Sequence, residues 1–222
     1  MSNLTNQDDS NVLKPPYDSV KQIHTTELGR FQIRGPIAPE ILCQYQLSDG
    51  LNCFRPSKRQ HEALIELAKQ EDGLIFAATL ATKIISYVTF QKPEFPWWIK
   101  RCFPKLLELG SMETDLSWRN LGLGKTILDT IFLNSSFNFF DNFIVIAVHT
   151  VHSWDLKTSC LDPWSYRNIM LKMFKQYNFV PWETEDPEVR EHPCNILLAR
   201  VGTNICSEEI KHFSNCCLGV NS

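Results

Sequence analysis

Between residues 119 and 126 the chain reads Arg-Asn-Leu-Gly-Leu-Gly-Lys-Thr, placed between a strand-like run at 106 to 116 and a helical apolar pattern at Ile127, Leu128, Ile131 and Phe132. A turn that feeds a helix N-terminus leaves amide N–H groups unpaired at the positive end of the helix dipole, and such a group of donors favours a phosphate. Gly122 and Gly124 let the backbone approach that anion with no Cβ in the way. The spacing therefore predicts an anion-binding backbone at Arg119, Asn120, Leu121, Gly122, Leu123, Gly124, Lys125 and Thr126. Two well-known versions of such a turn do not fit. A P-loop needs a glycine five residues before its Gly-Lys-Thr, where this chain has Arg119, and a dinucleotide-binding fingerprint needs a third glycine where it has Ile127.

Other residues that could do chemistry are less specific. Glu108 and Glu113 lie on the run before the turn, and their odd separation predicts opposite faces of a regular strand. His149, His152 and Asp155 stand three apart, but a lone His-x-x-His is a weak metal signal, so no metal site is expected. The eight cysteines are scattered and form no Cys-x-x-Cys, which fits reduced, incidental thiols.

Composition bounds the setting. With 222 residues, 43% of them hydrophobic and 21% charged, the chain can bury a full core as one domain. Its net charge of -3 gives no general attraction to nucleic acid or to an anionic membrane, so neither partner is expected. No run approaches the roughly 20 apolar residues of a membrane span. Residues 1 to 10 are polar and lack the apolar centre of a secretion signal, so the expected location is the cytoplasm.

The elements that must carry the loop follow in order. Residues 1 to 20 read as a mobile tail and 21 to 222 as the folded domain. A first strand is expected at 29 to 34, a helix from Pro39 through Tyr45, and a second helix from 57 to about 69. Two β-rich runs, 74 to 78 and 84 to 90, form a hairpin. The loop after them holds adjacent Trp97 and Trp98, one of which can line a groove. After the turn and its helix comes an unbroken apolar run, 143 to 148, that suits a strand covered on both faces. Residues 149 to 163 have no clear period and delay the next helix, 164 to about 177; strands at 179 to 182 and 195 to 201 and a short helix complete the chain. This order gives a mixed α/β sheet with helices on both faces.

The Arg-x-x-Gly-x-Gly turn after a strand resembles the pyrophosphate loop of the GNAT acyl-CoA N-acetyltransferases, and the order of elements is similar throughout. Several runs resemble one branch of that family, the acetoin-utilisation protein acetyltransferases. They include Gly35-Pro36-Ile37-Ala38-Pro39-Glu40, Gln60-His61-Glu62-Ala63-Leu64, Leu107-Glu108-Leu109-Gly110, Trp154-Asp155-Leu156-Lys157 and Trp164-Ser165-Tyr166-Arg167-Asn168. The likeness runs from about residue 25 to about 215. It implies the GNAT fold, an α/β (α+β) mixed sheet splayed between its fourth and fifth strands, here 106 to 116 and 143 to 148, with acetyl-CoA entering the wedge. It further implies transfer of acetyl from acetyl-CoA to a lysine of acetyl-CoA synthetase, which is thereby switched off, and a deacetylase that reverses the mark.

Carried onto these positions, the resemblance makes Glu108 the general base and gives strand amides at Met112, Glu113 and Thr114 the pantetheine and the thioester carbonyl. Glu113 is a second choice of base. The tyrosine that often protonates the departing thiolate falls at Phe174, which cannot do so, so no general acid is assigned; Tyr166 packs or holds substrate. Asp155 and Asp162, in the 149 to 163 insertion, could face a basic acceptor surface, or that insertion could be a solvated loop pinned by Trp154. A small-amine acetyltransferase and a non-catalytic acyl-CoA sensor stay open beside the leading reading.

Overall fold

The computed structural model describes residues 14–93 and 105–220. Trp97 and Trp98 lie outside them, as do residues 1 to 13 of the expected tail. The strands are β1 (Val20–Thr26), β2 (Gly29–Gly35), β3 (Gln46–Leu47), β4 (Leu74–Leu80), β5 (Lys83–Gln91), β6 (Leu106–Thr114), β7 (Ile144–His149), β8 (Val180–Trp182) and β9 (Ile196–Val201). The helices are α1 (Pro39–Leu42), α2 (Ser57–Lys69), α3 (Leu123–Phe132), α4 (Leu156–Ser159), α5 (Pro163–Lys175), α6 (Pro187–Arg190) and α7 (Ser207–Cys217).

The strands form one mixed sheet in the order β1-β2-β4-β5-β6-β7-β9-β8, with β3 added beside β5. β1 went unread in the sequence because it is an edge strand: only Val20 is buried along it, so no apolar alternation marks it. Upstream of it, the Lys14 ammonium donates to the carbonyls of Ala68 and Gln70 at the end of α2, and Asp18 pairs with Arg34. Helix α1 is shorter than expected and stops at Leu42.

Each face of the sheet is covered. On one, α3 and α5 pack on Phe76, Val88, Phe90, Leu107, Leu109 and Val145. Ile127, Leu128 and Ile131 of α3 are essentially inaccessible, and burial of such side chains contributes roughly 1.5–3 kcal/mol each, enough to fix where the N-terminus of α3 points. On the other face there are two smaller clusters. One joins α1 and α2 to Ile75, Ala77 and Tyr87, and the other sets α7 on Leu106, Ile144 and Ile146. Beside α2, over β5 and β6, a cavity of about 710 Å³ remains.

The parallel pair β6–β7 is the element that matters for a ligand. It holds only from Leu106↔Ile144 to Glu108↔Ile146, although β6 runs on to Thr114 and β7 to His149. Past Glu108 the two strands part, as the splay expected between the fourth and fifth strands requires.

Candidate active site

The free edge of β6 has its polar groups turned toward the opening. The Ser111 amide donates to Thr89 Oγ1 at 2.8 Å and the Asp115 amide to the Ile85 carbonyl at 3.0 Å, both on the β5 side. Alternation along a strand then turns the amides of Met112 and Thr114 the other way, to the edge that β7 has left. Glu113 falls out of that set, because its backbone faces β5: Ser86 Oγ donates to its carbonyl at 2.9 Å. A smaller cavity of about 230 Å³ lies at this end, lined by Met112, Thr114, Arg119, Asp155, Tyr166 and Cys53 among others.

The glycine turn follows directly. Asp115 closes β6, accepting from the Ser117 amide, and a short 3-10 turn, Leu116–Trp118, leads to Asn120 and Gly122 in left-handed backbone (φ 63° and 74°). A Cβ at Gly122 would meet nothing within 4 Å, so it is the backbone conformation that asks for glycine there. At Gly124 a Cβ would come within 3.4 Å of Met112 Sδ, so that glycine serves the close contact of α3 with β6. Among the described residues, none of the amides from Asn120 to Lys125 has a hydrogen-bond acceptor, and those of the first turn of α3 have no intrahelical one by geometry. This is the donor set a diphosphate fits.

The side chains of the turn are engaged elsewhere. Lys125 pairs with Asp129 at 2.8 Å, one helical turn on, and Thr126 Oγ1 donates to the Gly122 carbonyl at 3.0 Å. Arg119 donates to Asp155 at 2.6 Å and to the Thr114 carbonyl at 3.3 Å, which ties the turn to the 149–163 insertion. Partial burial by itself would raise the Asp155 carboxyl, but hydrogen bonds from Arg119 and Thr158 outweigh it and hold the group below the usual carboxylate range.

The two carboxylates of β6 are not on opposite faces. Val88 pairs with Met112 and Phe90 with Leu109, so Gly110 and Ser111 together oppose Thr89 alone. That bulge adds one residue to the count and brings Glu113 back to the side of Glu108, the side covered by α2. The Gly-Ser pair inside a strand-like run was the available signal. Their surroundings differ. Both oxygens of Glu113 are taken, one by the Cys53 amide at 2.6 Å and one by the Tyr87 hydroxyl at 2.7 Å. Burial, reinforced by this carboxylate, pushes the Tyr87 hydroxyl far above the ordinary phenol range. Glu108 instead lies on the floor of the larger cavity with Thr89, Gln91 and Ser111, under a wall that includes Gln60 and Leu64 of α2.

The insertion is more ordered than its sequence showed. It contains a 3-10 turn, Val151–Ser153, then α4, and Trp154 stacks on Tyr166 with ring centroids 5.1 Å apart. Asp155 and Asp162 both cap helices, Asp155 half-buried beside Arg119 and Asp162 exposed. Asp155 accepts from the Thr158 amide, and Asp162 accepts from the amides of Trp164 and Ser165. Tyr166 lines the smaller cavity, and burial raises its hydroxyl. Phe174 is fully buried against His149, 5.0 Å away, and Phe179. Among the described residues no group of three or more His, Cys, Asp or Glu side chains could hold a metal ion. No helix among them is long and apolar enough to cross a membrane.

No protein-family profile matches the chain. The acetoin utilization protein AcuA of Bacillus licheniformis is 38% identical over 189 residues, covering 85% of this chain and 89% of that protein. AcuA of Bacillus subtilis is 36% identical over the same shares. The crystal structure of an acetoin utilization protein from Exiguobacterium sibiricum superposes with a TM-score of 0.81 at 37% identity, covering 90% of this chain and 95% of that one.

Proposed function

Because the chain belongs to the AcuA acetoin-utilisation proteins, acetyl-CoA-dependent N-acetyltransferases of GNAT fold, we propose that its acceptor is a lysine side chain of a protein, acetyl-CoA synthetase, which acetylation switches off. A deacetylase acting on the same lysine would make the control reversible, and both proteins would meet in the cytoplasm.

The observation that carries this reading is the place of Glu108. It is the last residue of β6 paired with β7, so it stands where the sheet begins to open. Its neighbours Leu107 and Leu109 pack on the α3 face, while Glu108 lines the cavity on the other. Acetyl-CoA would enter the wedge with its diphosphate on the amides of residues 120 to 125 and its thioester along Met112 and Thr114. The amine would arrive from the opposite side, through the cavity.

A lysine ammonium has a pKa of about 10.4 and must lose a proton before it can attack. Glu108 accepts that proton, directly or through water. The nitrogen bonds to the acyl carbon while the amide of Met112 or Thr114 stabilises charge on the carbonyl oxygen. The C–S bond breaks and the thiolate leaves. With a thiol pKa of about 8.5 it can take its proton from water, so Phe174 at the tyrosine position does not block the reaction.

The direct test is incubation of the purified protein with labelled acetyl-CoA and purified acetyl-CoA synthetase. Label on a lysine, with loss of synthetase activity, is the expected result. Transfer to small amines with none to the synthetase would replace the proposal with the small-amine reading.

A further inference from the structure

The cavity under α2 has polar features that acetyl transfer alone does not explain. Gln60 is 4% exposed, and its Oε1 is sealed from solvent with no hydrogen-bond partner. An amide oxygen left so destabilises the fold unless something donates to it. Gln60 is part of the cavity wall, on the same side as Glu108. A turn of the Gln60 side chain toward the cavity would bring this oxygen to an incoming amine, which supplies the missing donor, and the apolar stretch formed by Ala63, Leu64 and Leu67 suits the four methylenes of a lysine stem.

The outer lip of the cavity carries charge. Arg55, in the loop before α2, lines it, and Arg59, in the first turn of α2 and one helical turn before the lining residue Ala63, extends the lining stripe of the helix outward. Both are exposed, and neither has an ion-pair partner among the described residues. They flank the N-terminus of α2, whose first turn contains no acidic residue. A cation there opposes the helix dipole, so the fold gains nothing from this placement. On the far side of the cavity Glu66 is already neutralised by Lys69 at 2.7 Å, and Glu62 is not among the lining residues.

We propose that this lip selects the acceptor: Arg55 and Arg59 bind carboxylates that flank the target lysine, while Gln60 receives its amine. The partner surface is therefore an acidic one with a protruding lysine. Guanidinium forks match carboxylates bidentately and act strongly at an exposed rim only when two work together. The proposal rests on the lysine-acceptor reading above, and its test separates the two.

Three lysine compounds serve as probes: a peptide with Asp and Glu on both sides of one lysine, the same peptide with those residues replaced by Asn and Gln, and Nα-acetyl-lysine amide. The native protein should show kcat/KM about tenfold higher for the acidic peptide than for the neutral one in low salt. The ratio should shrink toward one in the Arg55→Gln/Arg59→Gln variant and in high salt. Gln60→Leu should raise KM for all three compounds and leave the ratio in place. Equal use of the two peptides by the native protein, or a ratio untouched in the double variant, overturns the proposal alone. No transfer to any of the three, with other amines acetylated, overturns the lysine reading as well.

Discussion

At the scale of single residues, β6 sets one carboxylate against another. Glu113 has one oxygen held by the Cys53 amide and the other by the Tyr87 hydroxyl, so it secures the loop before α2 to the sheet, at the wall of the smaller cavity. Glu108 lies on the cavity floor where the strands part. Glu108→Gln should therefore lower kcat by about 10²–10³ with KM for acetyl-CoA changed less than about twofold, and it should flatten the acid limb of the kcat/KM–pH profile. Glu113→Gln should instead lower the melting temperature by several degrees, through loss of a charge-assisted hydrogen bond, and keep a native-shaped pH profile. Steady-state kinetics and thermal melts on both variants decide. If Glu113→Gln alone abolishes the acid limb, the roles are reversed. Glu108 is named as base through the family resemblance, whereas the shared face of the two carboxylates could not be read from the sequence. A bulge changes a count by one, and only the partner strand shows it.

At the scale of elements, the glycine turn and the insertion act as one unit. The turn was legible because its constraints are local: glycine spacing, a strand before it and an apolar helix after it. The insertion was not, since its order comes from contacts distant in sequence, Arg119 with Asp155 and Trp154 with Tyr166. Those contacts explain why Asp155, which looked like a recognition group, is a cap and an ion-pair partner. The turn makes its own prediction. Gly122 sits at φ 74° with open space where a Cβ would go, so Gly122→Ala adds backbone strain of roughly 1–2 kcal/mol and no clash. A loop that relaxes from this conformation withdraws its amides from the diphosphate. The expected result is a KM for acetyl-CoA raised about fivefold or more with kcat nearly unchanged, alongside a drop of a few degrees in melting temperature. A drop in melting temperature with an unaltered KM would show that the turn is only a structural link.

At the scale of the whole molecule, the sheet must stay parted on one stretch while both of its faces are packed, and His149 stands where these demands meet. It is the last residue of β7, past the point where that strand leaves β6, and its ring packs 5.0 Å from Phe174 of α5. Its Nε2 is sealed with no partner. Burial lowers its pKa from 6.5 to about 4, so the folded protein keeps it neutral. The unfolded chain binds the proton more readily between these two values. Stability from this group is thus complete above about pH 6.5 and declines as pH falls toward 4, with a loss of about 2 kcal/mol by pH 5. Asp115 and Asp155 titrate below the usual carboxylate range in the folded state and add their own losses mainly at lower pH. His149→Leu separates the contributions, since it fills the space without a titratable group. Urea unfolding of the native protein at pH 7.5 and pH 5 should show the larger decrease, and the variant should lose about 2 kcal/mol less over the same interval. Equal decreases in the two proteins would mean that the ring gains water or a partner in solution. In that case the packing of α5 against the end of β7 is looser than the contact with Phe174 implies, and the wedge is free to widen on that side.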